Sequence, residues 1–471
     1  MNKTIQFKSA IYSVLFLTLM MTQVFSQAPT YTFSDEGMIA IDNAAFDLEM
    51  GDFIQGGRNE FFISHQTSYG NPGKLSFLKY NTGTNSWELT SIDTNMSPKA
   101  LVAGDFDSDG NLDLVHTDYC NCSSHRLYNG DGAGNFTEAT TFSGNRFSED
   151  AVFVDFNNDN KMDIITGGNS LTNIYTNTST GTGNFGFSKS GFNISDPWNS
   201  TSGFAVADFD KDGWDDFVQT KPGNGEILVS LNSGSGTFSI GTAYAVTGIS
   251  SSDSVRGVAV GDFNQDGYMD IVATENDQDK IGVFLNDGDG TFGAVSLLDI
   301  TTPNFVEVAD MNQDNKPDIV VATSTGFAIF ENLGSGIFNT IPYQRAVSGI
   351  SRHLEVGDVD SDGKIDVIYA ANNQFVVALN QGTLAVEGEG SLADDQIALY
   401  PNPAKDKLYV KVLNSGFQAY QFEIVNAVGQ SVAVVQSNDG LFDVSGFSSG
   451  VYFMNIKKDQ VVLAVKKFVK N

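Results

Sequence analysis

One segment recurs six times along this 471-residue chain, and it sets what the chain can fold into. Each copy runs from an apolar stretch into Asp-x-Asp/Asn-x-Asp-Gly/Asn-x-x-Asp and then into a second apolar stretch. The copies begin at Asp105, Asp155, Asp208, Asp262, Asp310 and Asp358, between 48 and 54 residues apart. A decayed copy starts at Asp52, with Ile54, Gly56 and Glu60 where the others carry oxygen donors. Self-similarity at this period marks a repeat architecture in which each unit buries its core against its neighbours. Seven units are present.

Each unit has room for four strands. In the copy at Asp262, residues 258–262, 270–274, 281–285 and 291–297 read as strands. The turn from the third to the fourth recurs at residues 129–136, 232–238 and 332–338. Its Asn and Gly supply the positive φ angles of a tight hairpin. Four antiparallel strands in about 50 residues is the pattern of a propeller blade. The last unit runs out before its fourth strand, and residues 30–34 resemble the start of such a strand at 236–239. The N-terminal strand is therefore expected to complete the seventh blade and remove two raw sheet edges. The expected fold class is all-β: a seven-bladed β-propeller of four-stranded blades plus a small C-terminal β-sandwich domain.

The aspartates carry the chemistry. Positions 1, 3, 5 and 9 hold Asp105, Asp107, Asp109 and Asp113 in the first loop, and Asp155, Asn157, Asp159 and Asp163 in the second. The third and fourth loops hold Asp208, Asp210, Asp212 and Asp216, then Asp262, Asn264, Asp266 and Asp270. The last two hold Asp310, Asn312, Asp314 and Asp318, then Asp358, Asp360, Asp362 and Asp366. Alternate spacing in a tightly coiled loop turns three oxygens inward, and a carbonyl at position 7 with the carboxylate at 9 completes a hard-cation shell. Oxygen-only donors favour calcium, with magnesium second. About six structural calcium sites are expected, and the three loops with Asn at position 3 should bind more weakly. Position 6 is always Gly or Asn, the residues that tolerate the left-handed conformation reversing the loop. An EF-hand is excluded, because position 12 holds no Glu and strand formers follow. Phe106, Phe156, Phe209 and Phe263 follow the first aspartate, while Phe136, Phe185, Phe238, Phe292 and Phe338 are expected to open fourth strands. Recurring once per unit, they read as wedges between sheets.

A net charge of −31 argues against nucleic acid as a partner. Lys3 and Lys8, the apolar residues 11–21, and Val24 and Ser26 before Gln27 read as a signal peptide over residues 1–26. That apolar run is short for a membrane span, so no transmembrane segment is expected in the mature chain. Cys120 and Cys122, with His116 and His125 nearby, leave a zinc site, a local disulfide and an idle thiol pair open. Residues 446–450 match the nucleophile-elbow expression around Ser448, but a strand pattern follows and the last histidine is His353. The chain is read as non-catalytic.

The repeated loops resemble the FG-GAP/VCBS-type repeats of integrin α propellers and bacterial surface proteins, over residues 27–382. That resemblance implies calcium on the face formed by first-to-second-strand loops and a partner on the opposite face. After an acidic linker at 383–394, residues 395–471 resemble the type A sorting domain of the type IX secretion system. Residues 399–404, 426–430, 443–453 and 466–470 carry that match. It implies export across an outer membrane and an interaction with the secretion machinery, leaving the protein secreted or on the cell surface. Arg146, Arg256, Arg345 and Arg352 read as connectors between blades, with Trp198 in the same class and Tyr119 on the same side. Of these, Tyr119, Arg146, Trp198, Arg256 and Arg352 are the candidates for a shallow site that takes a glycan or an acidic protein segment. The expected function is a binding or adhesion module, with a glycan-active enzyme as the alternative.

Overall fold

The computed structural model describes residues 31–470, apart from 42–44, 66–72, 95, 119–123, 145–147, 169–170, 194–200, 235, 239, 248–254, 348–349, 372, 384–396, 401–403, 413–420, 427–430, 436–440, 449 and 459–460. The signal segment at 1–26, Tyr119, Cys120, Cys122, Arg146, Trp198 and most of the acidic linker lie outside the described residues. The chain divides into two compact units, residues 1–383 and residues 384–471. Among the described residues no helix is long and apolar enough to cross a membrane.

The repeated units fold as four-stranded antiparallel sheets, seven of them among the described residues of the first unit. The fifth is representative: Val255–Gly261, Asp270–Glu275, Lys280–Phe284 and Ser296–Asp299, paired in chain order. Its middle strands are Val/Ile-rich and buried except at Lys280, as two-sided burial requires. The first strands of the seven sheets are Ala45–Gly51, Pro98–Gly104, Ala151–Val154, Phe204–Ala207, Val255–Gly261, Pro303–Ala309 and Ile350–Gly357. Each lies beside the first strand of the next sheet, and Ile350–Gly357 lies beside Ala45–Gly51. In the seventh sheet the fourth strand is Tyr31–Ala40, antiparallel to Gln374–Thr383, and Thr32 Oγ1 donates to the Gly382 carbonyl at 3.0 Å.

Apolar clusters fill the spaces between consecutive sheets. Phe263 and Ile281 of the fifth sheet pack with Val321 and Phe330 of the sixth, and Phe61 and Trp87 of the first pack with Ile368 and Phe375 of the seventh. The phenylalanine after a loop's first aspartate meets a ring of the following sheet edge-on. The centroids are 5.7 Å apart for Phe156–Phe238, 5.5 Å for Phe209–Phe292 and 5.3 Å for Phe263–Phe338. Gly236 is required at one such seam: at φ 71°, a Cβ there would sit 2.5 Å from the Phe156 ring. Each fully buried ring contributes roughly 2 kcal/mol by area alone.

Two expectations need correction. Phe238, Phe292 and Phe338 do not open fourth strands. Phe238 and Phe292 form single bridges to Asn232 and Asn286, Ile337–Phe338 pairs back onto Asn332–Gly334, and the fourth strands begin later at Thr242, Ser296 and Tyr343. Returning to the asparagine first turns the ring into the seam. In the third sheet that role falls to Phe187, which faces Phe106 at 6.0 Å. Arg256, Arg345 and Arg352 are not in connectors either, while Arg146 lies outside the described residues. Arg256 and Arg352 lie within first strands, and Arg345 lies within the fourth strand Tyr343–Ala346, paired with Asp35 at 2.6 Å.

The second unit has a three-stranded sheet (Ile397–Tyr400, Lys407–Val412, Leu441–Asp443) and a four-stranded sheet in the order Ser431–Val435, Gln421–Asn426, Gly450–Lys458, Val461–Lys470. Leu408, Phe442, Phe422 and Met454 place both sheets on one core. Ser448 is followed by the strand Gly450–Lys458, and its carbonyl accepts the Tyr452 hydroxyl at 2.9 Å.

Candidate metal centres

All six loops share one geometry. The position 1 carboxylate accepts amides from positions 5 and 6. In the fourth loop, Asp266 N donates to Asp262 Oδ1 at 3.0 Å and Gly267 N to Oδ2 at 2.9 Å. The same pair of bonds forms in the other five. The position 5 carboxylate accepts the amide of position 7 in every loop. The position 9 carboxylate reaches across to the sheet, where its Oδ1 accepts an amide from the end of the third strand, at 2.6 to 3.0 Å. These bonds orient the carboxylates before any ion arrives.

The chain achieves this by entering the left-handed region twice per loop. Position 6 does so at φ 63° to 91°. Position 4 does so too, at Ser108, Asn158, Lys211, Gln265, Gln313 and Ser361, with φ 55° to 62°. Each of these non-glycine residues costs about 1 kcal/mol of backbone strain. The long side chains at this position reach the neighbouring loop. Asn158 donates to the Gly213 carbonyl at 3.1 Å, Gln265 to that of Asn315 at 2.8 Å and Gln313 to that of Gly363 at 2.7 Å. Lys211 lies 3.9 Å above the Tyr268 ring.

The donor set fits a hard cation. Asp105, Asp107 and Asp113 offer oxygens within 4.8 Å of one another, as do Asp208, Asp210 and Asp216, and Asp358, Asp360 and Asp366. Oxygens about 2.4 Å from one calcium ion span such a distance. Asp107 is 2 % exposed, yet its Oδ1 has no hydrogen-bond partner while Oδ2 accepts the Gly183 amide at 2.6 Å. A buried carboxylate oxygen left this way is costly unless something positive meets it. In the remaining loops Asn157, Asn264 and Asn312 accept the position 5 amide with Oδ1 and turn Nδ2 toward a carboxylate. One oxygen remains where aspartate has two.

Burial is the first cause that raises the position 9 carboxyls, to about 7 for Asp113, Asp163, Asp216 and Asp318 and about 6 for Asp270 and Asp366. Neighbouring loop carboxylates push the same way, and a bound cation would remove both penalties. The decayed loop compensates differently. Glu60 stands at position 9 and accepts the Ile54 amide at 2.9 Å, and burial raises it to about 7.

The asparagine heading the third-to-fourth-strand turn, expected to supply a positive φ, leaves that to the glycines and instead ties its loop to the preceding one. Asn177, Asn232, Asn286, Asn332 and Asn380, at third-strand ends, are buried. Asn286 Nδ2 donates to the Phe209 carbonyl of the preceding loop at 2.9 Å and to the Met269 carbonyl of its own at 3.0 Å, and the other four repeat the pair. The recurrence of Asn232, Asn286, Asn332 and Asn380 at the head of an Asn-x-Gly turn was the available signal. Asn286→Ala orphans two buried carbonyls and should destabilise the calcium-loaded chain by about 3 kcal/mol in urea unfolding. Asn135→Ala, in an exposed turn, should stay within about 0.5 kcal/mol of the parent.

The other candidates are dispersed. Arg256 and Arg352 sit on separate sheets, the fifth and the seventh. His116 and His125 are opposite Arg126 and Thr117 respectively in adjacent strands, so their side chains leave on opposite faces. His116 stacks on Tyr128, His125 meets Phe142 and Tyr175 edge-on, and burial lowers them to about 4 and about 3. They do not form a shared zinc pair.

The FG-GAP-like repeat family matches residues 155–219, 212–273, 262–321 and 310–369, and the secretion system C-terminal sorting domain matches residues 398–471. No curated protein matches the chain. Among solved structures, similarity extends to PorZ, described as an essential bacterial surface component of the type-IX secretion system of Porphyromonas gingivalis. It is 14% identical over 90% of this chain, with a TM-score of 0.44, and this chain spans 59% of its length. A chain from the complex of BBS1N with ARL6DN is 10% identical over 75% of this chain and 98% of its own, with a TM-score of 0.49. An Agrocybe aegerita lectin that recognises non-reducing terminal N-acetylglucosamine is 19% identical over 74% of this chain and 94% of its own, with a TM-score of 0.42.

Proposed function

We propose that this chain, which carries four FG-GAP-like repeats and ends in a sorting domain of the type IX secretion system, is a calcium-loaded seven-bladed propeller that binds ligands without transforming them. The sorting domain directs it to the cell surface or into the medium. Closure of the seven sheets into a ring is supported by the contact of the seventh first strand with the first, and by the apolar cluster those two sheets share. In this reading calcium is a scaffold. The residues at positions 1, 3, 5 and 9 hold it, and when bound it neutralises carboxylates that would otherwise repel.

The observation that carries the reading is the sixfold recurrence of the amides that orient the carboxylates at positions 1, 5 and 9. Chemistry repeated evenly around a fold serves architecture, whereas a catalytic centre is built once from unlike residues. Ligand recognition then belongs to surfaces that differ between units, where Tyr119, Arg146, Trp198, Arg256 and Arg352 remain the candidates, and the ligand is a glycan or a protein. A glycan-active enzyme is the alternative, since the first unit also holds half-buried carboxyls outside the loops (Asp150 and Glu307), raised by desolvation to about 7 and about 8.

Incubating the calcium-loaded protein with a polysaccharide panel and with a panel of extracellular proteins, and scoring retention and cleavage separately, tests this. Retention of at least one class with every polymer left intact is expected. New reducing ends or unsaturated products would make it an enzyme, and Arg146→Ser with Arg256→Ser leaving retention unchanged would empty the arginine assignment.

A further inference from the structure

The first strands carry a second set of acids, unrelated to the loops. Glu307, Glu355 and Glu49 stand at one place in three consecutive sheets, three residues before the loop position 1 residue. Asp47, Asp150 and His353 stand two residues earlier in their own units. A strand's side chains alternate faces, so these two positions share one face. All six residues line one cavity of about 260 Å³ to which every one of the seven first strands contributes. The remaining lining from the second, fourth and fifth sheets is Leu101, Val102, Gly203, Phe204, Val206 and Val258, with no charge. His353 is the one residue of the lining that can carry positive charge, and its Nδ1 lies 2.9 Å from Asp47 Oδ1.

Three of the acids clasp the seams. Asp47 Oδ2 accepts the Leu101 amide at 2.8 Å, Glu49 Oε1 the Ala103 amide at 2.9 Å and Asp150 Oδ2 the Phe204 amide at 2.7 Å, each from the neighbouring sheet. Glu307 and Glu355 form no ion pair among the described residues, and each faces other carboxyls of the set. Lys99, the nearest cation on the second sheet's first strand, is committed to Glu149 at 2.8 Å. Five carboxyls thus converge where two cannot all be charged cheaply.

We propose that this cavity is a proton-holding centre, which makes the first unit more heat-resistant in mildly acidic than in mildly alkaline medium. Burial first, and then the neighbouring carboxylates, raise Glu49 and Glu355, and raise Glu307 to about 8; burial and Asp47 raise Asp150 to about 7. An acid whose pKa is higher folded than unfolded gives the native state more protons. Stability is then full below the unfolded value near 4 and is lost as pH rises through the folded values. The window is about pH 5 to 8.

The test is thermal unfolding of the full mature chain in saturating calcium, which keeps the loop carboxylates ionised throughout. Between about pH 6 and about pH 9 the parent should lose about 8 °C, and Glu307→Gln with Glu355→Gln should lose at most half of that. Equal losses in both, or a parent whose melting point does not fall, would overturn the proposal. If the double variant does not fold, calorimetry of the parent near pH 7.5 in two buffers of different ionisation heat counts the protons. Net release of one or more on unfolding is expected, and none or net uptake rules the centre out. The proposal does not rest on the calcium reading: insensitivity to chelation would end that reading and leave this one standing.

Discussion

Stripping divalent ions with excess chelator lowers the melting temperature of the first unit by about 20 °C, and calcium restores it while magnesium restores it in part. An ion present at about 100 times its dissociation constant stabilises the folded state by roughly 2.7 kcal/mol per site. With six sites, and a shift of about 2 °C per kcal/mol for a domain of this size, even partial occupancy produces a large drop. The structural basis is specific. Three loops bring carboxylate trios within 4.8 Å, Asp107 keeps a buried oxygen unmet, and the non-glycine residue held left-handed at position 4 of every loop stores strain that only an organised loop sustains. Calorimetric titration of the stripped protein should resolve two classes, with the loops at Asp105, Asp208 and Asp358 tighter than those carrying Asn157, Asn264 and Asn312. An unchanged melting curve after exhaustive chelation, or uniform affinity across the loops, contradicts the role assigned to the ions or the charge reasoning respectively.

The second large effect concerns residues 384–471. Deleting them should reduce the protein at the surface and in the medium at least about tenfold in a host with a type IX system, with the truncated chain trapped inside the outer membrane. The first unit has its own apolar clusters between all consecutive sheets, and the second its own core around Phe422, Phe442 and Met454. The truncated chain should therefore keep the parent's calcium-loaded melting temperature. Cell fractionation with immunodetection reads the first outcome and calorimetry the second. Export undiminished by the deletion would contradict the sorting assignment, and a lowered melting point would mean that the units depend on each other.

The sequence reading followed side-chain chemistry and stopped where the backbone decides. The loop donors were legible because the same oxygen-bearing residues return at positions 1, 3, 5 and 9, and position 6 because only Gly and Asn occur there. Position 4 was not, since Ser, Asn, Lys and Gln share no property that announces a positive φ. Phe338 was misplaced because a bridge back to the third strand looks, in one dimension, like the start of the fourth. The arginines were assigned to connectors for the same reason: first strands such as Val255–Gly261 begin before their apolar run does. The inner acids were hidden by dispersal. Glu49, Glu307 and Glu355 look like ordinary strand polarity until the units are superimposed on their loops, and then they fall at one offset.

The pairing of Tyr31–Ala40 with Gln374–Thr383 has a consequence for how the protein can be made and moved. Tyr31–Ala40 finds its strand partner some 340 residues later, so its backbone waits without that partner through most of synthesis. A chain arrested at any intermediate length exposes that waiting segment together with the raw flank of its newest sheet, both templates for stray association. Quality control therefore has a simple criterion to act on. The seventh sheet is finished when Tyr31–Ala40 has met Gln374–Thr383, and proteolysis past Tyr31 would strip that sheet of its fourth strand.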